Sequence, residues 1–147
     1  MHRLLTLIAV SALLTGVLQA QVRFTINAAS DDPVAGWQKM DIDGRSVWVN
    51  PAPALTSADI QGAEPGTDRN FGKYVNLAFT DAGAKKIRDL TTAQMNKLIA
   101  MVLDGKVISA PGIRSVITSD GMITWSPRGL KTEEVRRILT SVNQRQR

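Results

Sequence analysis

The chain has 147 residues, a formal net charge of +5 at pH 7, and no cysteine. Its single histidine is His2. The rest of the chain therefore lacks the side chains needed for Ser-His-Asp or Cys-His nucleophilic catalysis and for the usual zinc sites. We expect no catalytic residue, no cofactor and no metal. A hydrolase that uses only carboxylates or lysine is the minor alternative.

The first twenty residues have the pattern of a secretory signal peptide. Arg3 supplies a short positive region, Leu4–Leu18 is apolar, and Ala20 is a small residue suited to cleavage. Because Leu18 is not small, the cleavage site stays open, and an uncleaved anchor is the alternative. We predict a signal peptide at 1–20 and one domain at 21–147, located in the periplasm or cell envelope.

The N-terminal part of this domain predicts a strand and a hairpin. Val22–Ile26 alternates like a strand, and the small polar residues 27–36 predict a loop. Trp37–Met40 and Ser46–Val49 flank Asp41–Gly44, which predicts a hairpin with a tight turn. A calcium loop is the weaker interpretation of this turn, because the third acidic ligand and the distal glutamate are missing.

Residues 50–73 predict little regular structure. Pro51 and Pro53 indicate an extended connection, because proline cannot donate to a strand ladder. Thr56 or Ser57 can cap a short helix that ends at Ala63. Residues 64–73 contain Pro65, Gly66 and Gly72 and predict a turn-rich loop.

The middle of the chain predicts a strand, a helix and a hairpin in succession. Tyr74–Phe79 alternates like a strand, and Thr80 or Asp81 can cap a helix with Ala84, Ile87 and Leu90 on one face. A further short helical piece is expected at Thr92–Asn96. The apolar run Leu98–Leu103 and the return strand Lys106–Ser109 flank Asp104-Gly105, a strong turn signal.

The C-terminal part predicts a second pair of strands and a final helix. Gly112–Thr118 and Met122–Trp125 flank the turn signal Asp120-Gly121. Thr132 is the expected cap of the last helix. Its apolar face is predicted to contain Val135, Ile138, Leu139 and Val142.

One long ordered pattern carries a resemblance to a known family. The central stretch contains VNLAFTDAGAKKIRDLT and NKLIAMVLDGKVISAPGIRSVI; PALTSADIQGAEPG lies upstream of it and LKTEEVRRIL lies downstream. This pattern, over about Val47–Leu139, closely resembles the head subdomain of the first periplasmic domain of SecD, an accessory subunit of the bacterial protein-export machinery. The sequence departs from the family pattern at Trp125, where a glycine-containing turn is usual, and at Lys131, where a capping threonine is usual.

The resemblance implies an α+β fold with a small, mostly antiparallel sheet and two or three helices on one face. It also implies contact with unfolded or emerging exported polypeptide, and with components of the export machinery. We expect a free-standing head module without the transmembrane helices that couple SecD to the proton gradient. The alternative is an envelope interaction or structural protein that reuses the head fold to bind one specific partner or the membrane surface.

The candidate polypeptide-binding residues are Trp125, Pro127, Arg128 and Arg114. A tryptophan gives a large contact area at low entropic cost, and the neighbouring proline and arginine supply a rigid turn and a charge. Packing in the core is the other interpretation for Trp125, as it is for Trp37 and Trp48. Free sheet edges are a second route to binding, since an extended peptide can add to them as a strand.

Basic residues accumulate at the end of the chain. The basic side chains from residue 128 onward are Arg128, Lys131, Arg136, Arg137, Arg145 and Arg147, against two acidic side chains, Glu133 and Glu134. A basic end can bind nucleic acid, anionic lipid or acidic polypeptide, or it can be a solvated helix face. The export signal argues against nucleic acid, so we expect at most weak contact with an anionic membrane surface.

Overall fold

The computed structural model describes residues 21–118, the backbone of residues 122–124, and residues 129–144. The strands in these ranges are β1 (Phe24–Ser30), β2 (Gln38–Ile42), β3 (Arg45–Val49), β4 (Leu55–Thr56), β5 (Ile60–Asp68), β6 (Gly72–Phe79), β7 (Leu98–Leu103), β8 (Lys106–Ser109) and β9 (Met122–Thr124). The α-helices are α1 (Asp81–Ala93) and α2 (Thr132–Asn143). No helix within these ranges has the length and apolarity to cross a membrane. The predicted signal peptide lies outside them.

The strands form two antiparallel sheets, where the sequence predicted one small sheet. The larger sheet has the order β2-β3-β1-β7-β8, and β4 pairs with the first half of β1. The smaller sheet has the order β5-β6-β9. β1 and β7 pair from Phe24↔Leu103 to Ala29↔Leu98 although they lie far apart in the chain. The α+β class with antiparallel sheets is therefore confirmed, while the number of sheets was wrong.

Two predicted hairpins are present with the predicted turns. Asp43 and Gly44 connect β2 to β3 with φ values of 49° and 79°. Asp104 and Gly105 connect β7 to β8 with φ values of 49° and 79°. Positive φ at both central residues is the requirement of a type I′ turn, which matches the twist of the flanking strands. The calcium-loop interpretation is not needed to explain Asp43.

Both predicted helices are present, with small shifts at their ends. The Thr80 side chain caps α1 by accepting a hydrogen bond from the Gly83 N–H at 3.0 Å. α1 continues to Ala93, so a separate helical piece at Thr92–Asn96 was wrong. The N-cap of α2 is Lys131, one residue before the predicted Thr132, and the Glu134 carboxylate accepts the Lys131 backbone N–H at 2.7 Å.

Residues 57–73 differ most from the prediction. The expected helix through Ala63 is only a 3-10 turn at Ser57–Asp59, and β5 replaces both the rest of that helix and most of the expected loop. β5 tolerates Pro65 because it is an edge strand, and its Gly66 is covered by the ring of Tyr74 on β6.

Two other predicted segments also differ. β1 extends through Ser30, into the expected loop. Gly112–Thr118 is not a strand: Gly112 and Ile113 form only isolated bridges, and β9 pairs with β6. The predicted turn Asp120-Gly121 lies outside the described residues.

The core consists of two apolar clusters on opposite faces of β7. Ile99 and Met101 face a cluster that joins both sheets to both helices. Leu98 and Ala100 face a second cluster, which they form with residues of β1, β2, β3 and β8. Burial on both faces explains why β7 is continuously apolar. The predicted helix faces are confirmed, because Ile87, Leu90, Val135, Ile138 and Val142 all lie in the first cluster.

Candidate functional site

Of the four residues predicted to form a binding surface, only Arg114 lies in the described part of the chain. It is exposed, beyond the isolated bridges that follow β8. Trp125, Pro127 and Arg128 lie outside the described residues. Their flanks are placed: Thr124 pairs with Val75, and Gly129 lies against β6, where an added Cβ would be 2.8 Å from Phe71 O. The four-residue surface therefore stays a prediction.

Two of the family-like motifs meet at Asp59. Its Oδ2 accepts the Thr56 N–H at 3.0 Å and its Oδ1 accepts Lys86 Nζ at 2.8 Å. Its backbone oxygen accepts the Thr80 N–H at 3.0 Å. Gly83 allows this approach, because a Cβ there would lie 2.1 Å from Asp59 O. The PALTSADI and FTDAGA motifs thus fix the start of α1 against the 3-10 turn.

The other two motifs meet at Asp104. Its Oδ1 accepts the Arg23 N–H at 2.9 Å, and its own N–H donates to Arg23 O at 2.8 Å. Its Oδ2 accepts Arg137 Nε at 2.8 Å and also Arg137 Nη2. Burial alone would raise the pKa of Asp104, but the hydrogen bonds from Arg23 and Arg137 and the two positive charges lower it overall. The LDGKVISAP and LKTEEVRRIL motifs thus connect the β7–β8 turn to α2.

These contacts indicate that the motifs maintain the fold. The carboxylates of Asp59 and Asp104 are each held by partners within the domain. A carboxylate that accepts from several donors is a structural element that favours one geometry. A binding site therefore has to be sought beyond the contacts that Asp59 and Asp104 make.

A cleft of about 360 Å³, which we call the sheet cleft, lies on the larger sheet. Thr25 and Asn27 of β1 and Val102 of β7 line it from the sheet, and Gln38 and Met40 line it from β2. The remaining lining residues are Arg23, Val49, Asn50, Pro51, Pro53 and Gly105. The lining residues as a whole come from four separate segments of the chain, so no local sequence pattern indicated the cleft.

The sheet cleft is held in shape by its own hydrogen bonds. Asn27, which is 5% exposed, donates from Nδ2 to Asn50 O at 2.8 Å. Thr25 Oγ1 donates to Asn27 Oδ1 at 2.7 Å. These bonds fix the connection that carries Pro51 and Pro53, and proline restricts the backbone further. The cleft is therefore preformed and lined by both amide and apolar side chains.

The sheet edges in the described ranges are less suited to binding than the sequence suggested. β5 has a proline in its middle and a register shift between Ile60 and Gly62. β9 has only three residues. β2 approaches β8, the opposite edge of the same sheet, and Arg45 Nη2 donates across to Ala110 O at 3.1 Å. None of these edges offers the long, regular ladder that strand addition favours.

Together these features define a small two-sheet α+β domain with a preformed cleft of mixed polarity. Comparison with known proteins identifies the family of this domain. The profile of the "SecDF, P1 head subdomain" family matches residues 18–140. The chain belongs to this family, which confirms the resemblance found in the sequence motifs.

The curated relatives are protein translocase subunits. SecD of Acidaminococcus fermentans is 33% identical over 102 residues, which are 69% of this chain and 23% of the relative. SecDF of Thermus thermophilus is 44% identical over 66 residues, 45% of this chain and 9% of the relative. SecD of Aquifex aeolicus is 36% identical over 98 residues, 66% of this chain and 20% of the relative. The chain thus spans less than a quarter of the length of these relatives.

Two solved structures have a similar fold. One, described as a membrane component SecDF that enhances protein export, has a TM-score of 0.62 at 23% identity, over 83% of this chain and 62% of that chain. SecDF in a super-membrane-facing form has a TM-score of 0.61 at 26% identity, over 83% of this chain and 18% of that chain. The first likeness supports the fold alone.

Proposed function

We propose that this chain is a non-catalytic polypeptide-binding module, accessory to protein export or to folding outside the cytoplasm. The family supports the setting, since the matched relatives are protein translocase subunits. The proposed location is the periplasm or cell envelope, reached through a signal peptide at 1–20 that precedes a domain at 21–147. Its clients are unfolded or emerging polypeptides, and export-machinery components are further partners.

The observation that carries the proposal is the chemistry of the sheet cleft. Its amide side chains, such as Gln38, can donate to and accept from a peptide backbone whatever the sequence of the peptide. Met40 is unbranched and adapts to side chains of different shape. Because the floor and rim of the cleft are held in place, the cleft loses little conformational entropy when a polypeptide binds. These properties suit a site that accepts many unfolded chains.

The residues predicted from the sequence form a second candidate surface of the same function. Trp125, with Pro127, Arg128 and Arg114, would supply an aromatic anchor and positive charge. The described residues that line the sheet cleft belong to other segments of the chain, so separate variants can distinguish the two surfaces.

The test is binding of fluorescent unfolded polypeptides and of their folded counterparts, measured by anisotropy at low and high salt. We expect the chain to bind many unfolded polypeptides and no folded ones. Replacing Gln38→Ala together with Met40→Ala should weaken binding, whereas Gln61→Ala, an exposed glutamine on β5, should not. Loss of binding only with Trp125→Ala would move the site to the second surface.

Absence of binding to any unfolded chain would overturn the proposal. The alternative would then be an envelope protein that uses this fold to bind one specific partner, or to contact an anionic membrane surface through its basic end. A single saturable partner, or dependence on anionic lipid, would identify that alternative.

A further inference from the structure

A second cleft adjoins the sheet cleft. It has a volume of about 390 Å³ and is lined by residues 21–25 together with Thr56, Ser57 and Ala58. Arg23 and Thr25 line both clefts. The two clefts therefore meet at the start of β1, and Arg23 stands at their junction.

Arg23 is the only charged residue among the described residues that line either cleft. Its backbone is fixed, because its N–H and its carbonyl oxygen are both bonded to Asp104. Its side chain is exposed, and none of the ion pairs within the described ranges involves its guanidinium group. The nearby Asp104 carboxylate is already bonded to Arg137.

We infer that the two clefts form one groove for an extended polypeptide, and that Arg23 selects segments with an acidic side chain at the junction. This inference rests on the proposed function. A guanidinium group presents a planar pair of donors that matches a carboxylate, which makes arginine well suited to recognise Asp or Glu. Among the described residues no acidic side chain lines either cleft, and Arg23 is the one charged side chain in the two linings, so it is the side chain placed to pair with an acidic residue of the bound segment.

The test uses synthetic unstructured peptides that are identical except for one central residue, which is Asp, Asn or Lys. Binding to the purified chain is measured by fluorescence anisotropy at low and high salt. The Asp peptide should bind about threefold more tightly than the Asn peptide, the Lys peptide should bind most weakly, and salt should reduce the difference.

Arg23→Gln should remove the preference for the Asp peptide while binding of the Asn peptide is retained. The backbone hydrogen bonds to Asp104 do not depend on the side chain, and thermal melting checks that the variant is folded. Arg23→Lys should keep part of the preference, because the charge remains and the paired donors are lost. Arg88→Gln is the matched control, since Arg88 is exposed on α1, away from both clefts.

Equal binding of the Asp and Asn peptides, or a preference that survives in Arg23→Gln, would overturn the inference and leave the proposed function standing. Failure of every peptide and every unfolded polypeptide to bind would overturn both. The two failures are therefore distinguishable in one set of titrations.

Discussion

Arg137 on α2 donates to Asp104 in the β7–β8 turn, with Nε 2.8 Å from Oδ2. The same carboxylate accepts the backbone N–H of Arg23 at the start of β1. One side chain thus connects three elements: the first strand, a hairpin turn and the last helix. A charged acceptor with several donors contributes more to stability than a neutral hydrogen bond.

The substitution Asp104→Asn should lower the free energy of unfolding by about 1–2 kcal/mol at neutral pH. Asparagine tolerates the positive φ of this turn position, so the effect reports the lost charge and not backbone strain. Urea unfolding followed by tryptophan fluorescence measures it. Asp89→Asn is the control, because Asp89 pairs with Lys85 on an exposed face of α1, and its replacement should change stability by less than about 0.5 kcal/mol.

The same variant should change how stability depends on pH. The pKa of Asp104 is lowered in the folded state, so its ionised form stabilises the fold above the unfolded-state pKa of about 3.9. This contribution is lost as the pH falls through the lower, folded-state value. Unfolding free energies measured from pH 6 down to pH 2 should therefore fall less steeply for Asp104→Asn than for the unaltered chain. Parallel curves would show that Asp104 makes no such contribution.

Gly83→Ala should lower the free energy of unfolding by about 2–3 kcal/mol, although alanine usually stabilises a helix relative to glycine. The added Cβ would lie 2.1 Å from the backbone oxygen of Asp59, which cannot move without shifting the 3-10 turn. In Gly66→Ala the Cβ would meet the tip of the Tyr74 ring at 2.3 Å, and this ring can rotate away, so the loss should be smaller.

Gly112→Ala completes the glycine series, because no atom lies within 4 Å of the added Cβ. It should be neutral or slightly stabilising. Thermal unfolding of the three variants gives the order directly. Equal stability of Gly83→Ala and Gly112→Ala would contradict the close contact between α1 and the 3-10 turn.

Asp59→Ala should destabilise the fold by about 3 kcal/mol. The side chain of Asp59 is only 6% exposed, and its removal leaves the Thr56 N–H and the Lys86 ammonium without their acceptor. A double-mutant cycle with Lys86→Ala should give a coupling free energy of at least about 1 kcal/mol. Asp32→Ala, in an exposed loop, is the control. Additive effects of the two substitutions would show that the ion pair contributes nothing to stability.

Local signals in the sequence predicted the elements whose cause is local. The Asp43-Gly44 and Asp104-Gly105 turns, the Thr80 cap and the apolar faces of both helices depend on residues a few positions apart, and these features are present. β5 was missed because its own residues, including Pro65 and Gly66, disfavour a strand. Pairing with β6 and cover by Tyr74 and α2 override that local preference, and none of these partners is visible from the segment itself.

Long-range pairing explains the other differences. The division into two sheets follows from the pairing of β1 with β7 and of β6 with β9, neither of which a local pattern specifies. Gly112–Thr118 was predicted to be a strand, yet its backbone bonds elsewhere: the Ile117 N–H donates to Thr91 Oγ1 at 3.0 Å. The sheet cleft was missed for the same reason, since β1, β2, β7 and the 50–53 connection meet only in the folded chain.

Site-specific photocrosslinking tests most directly whether unfolded polypeptide binds in the sheet cleft. A photoreactive benzoylphenylalanine would replace Gln38 in the cleft, Trp125 in the second candidate surface, or Gln61 on β5, one position at a time. We expect irradiation with a labelled unfolded polypeptide to give a crosslinked product at position 38 and none at position 61. Crosslinking at position 125 alone, or at none of the three positions, would contradict the assignment of the cleft.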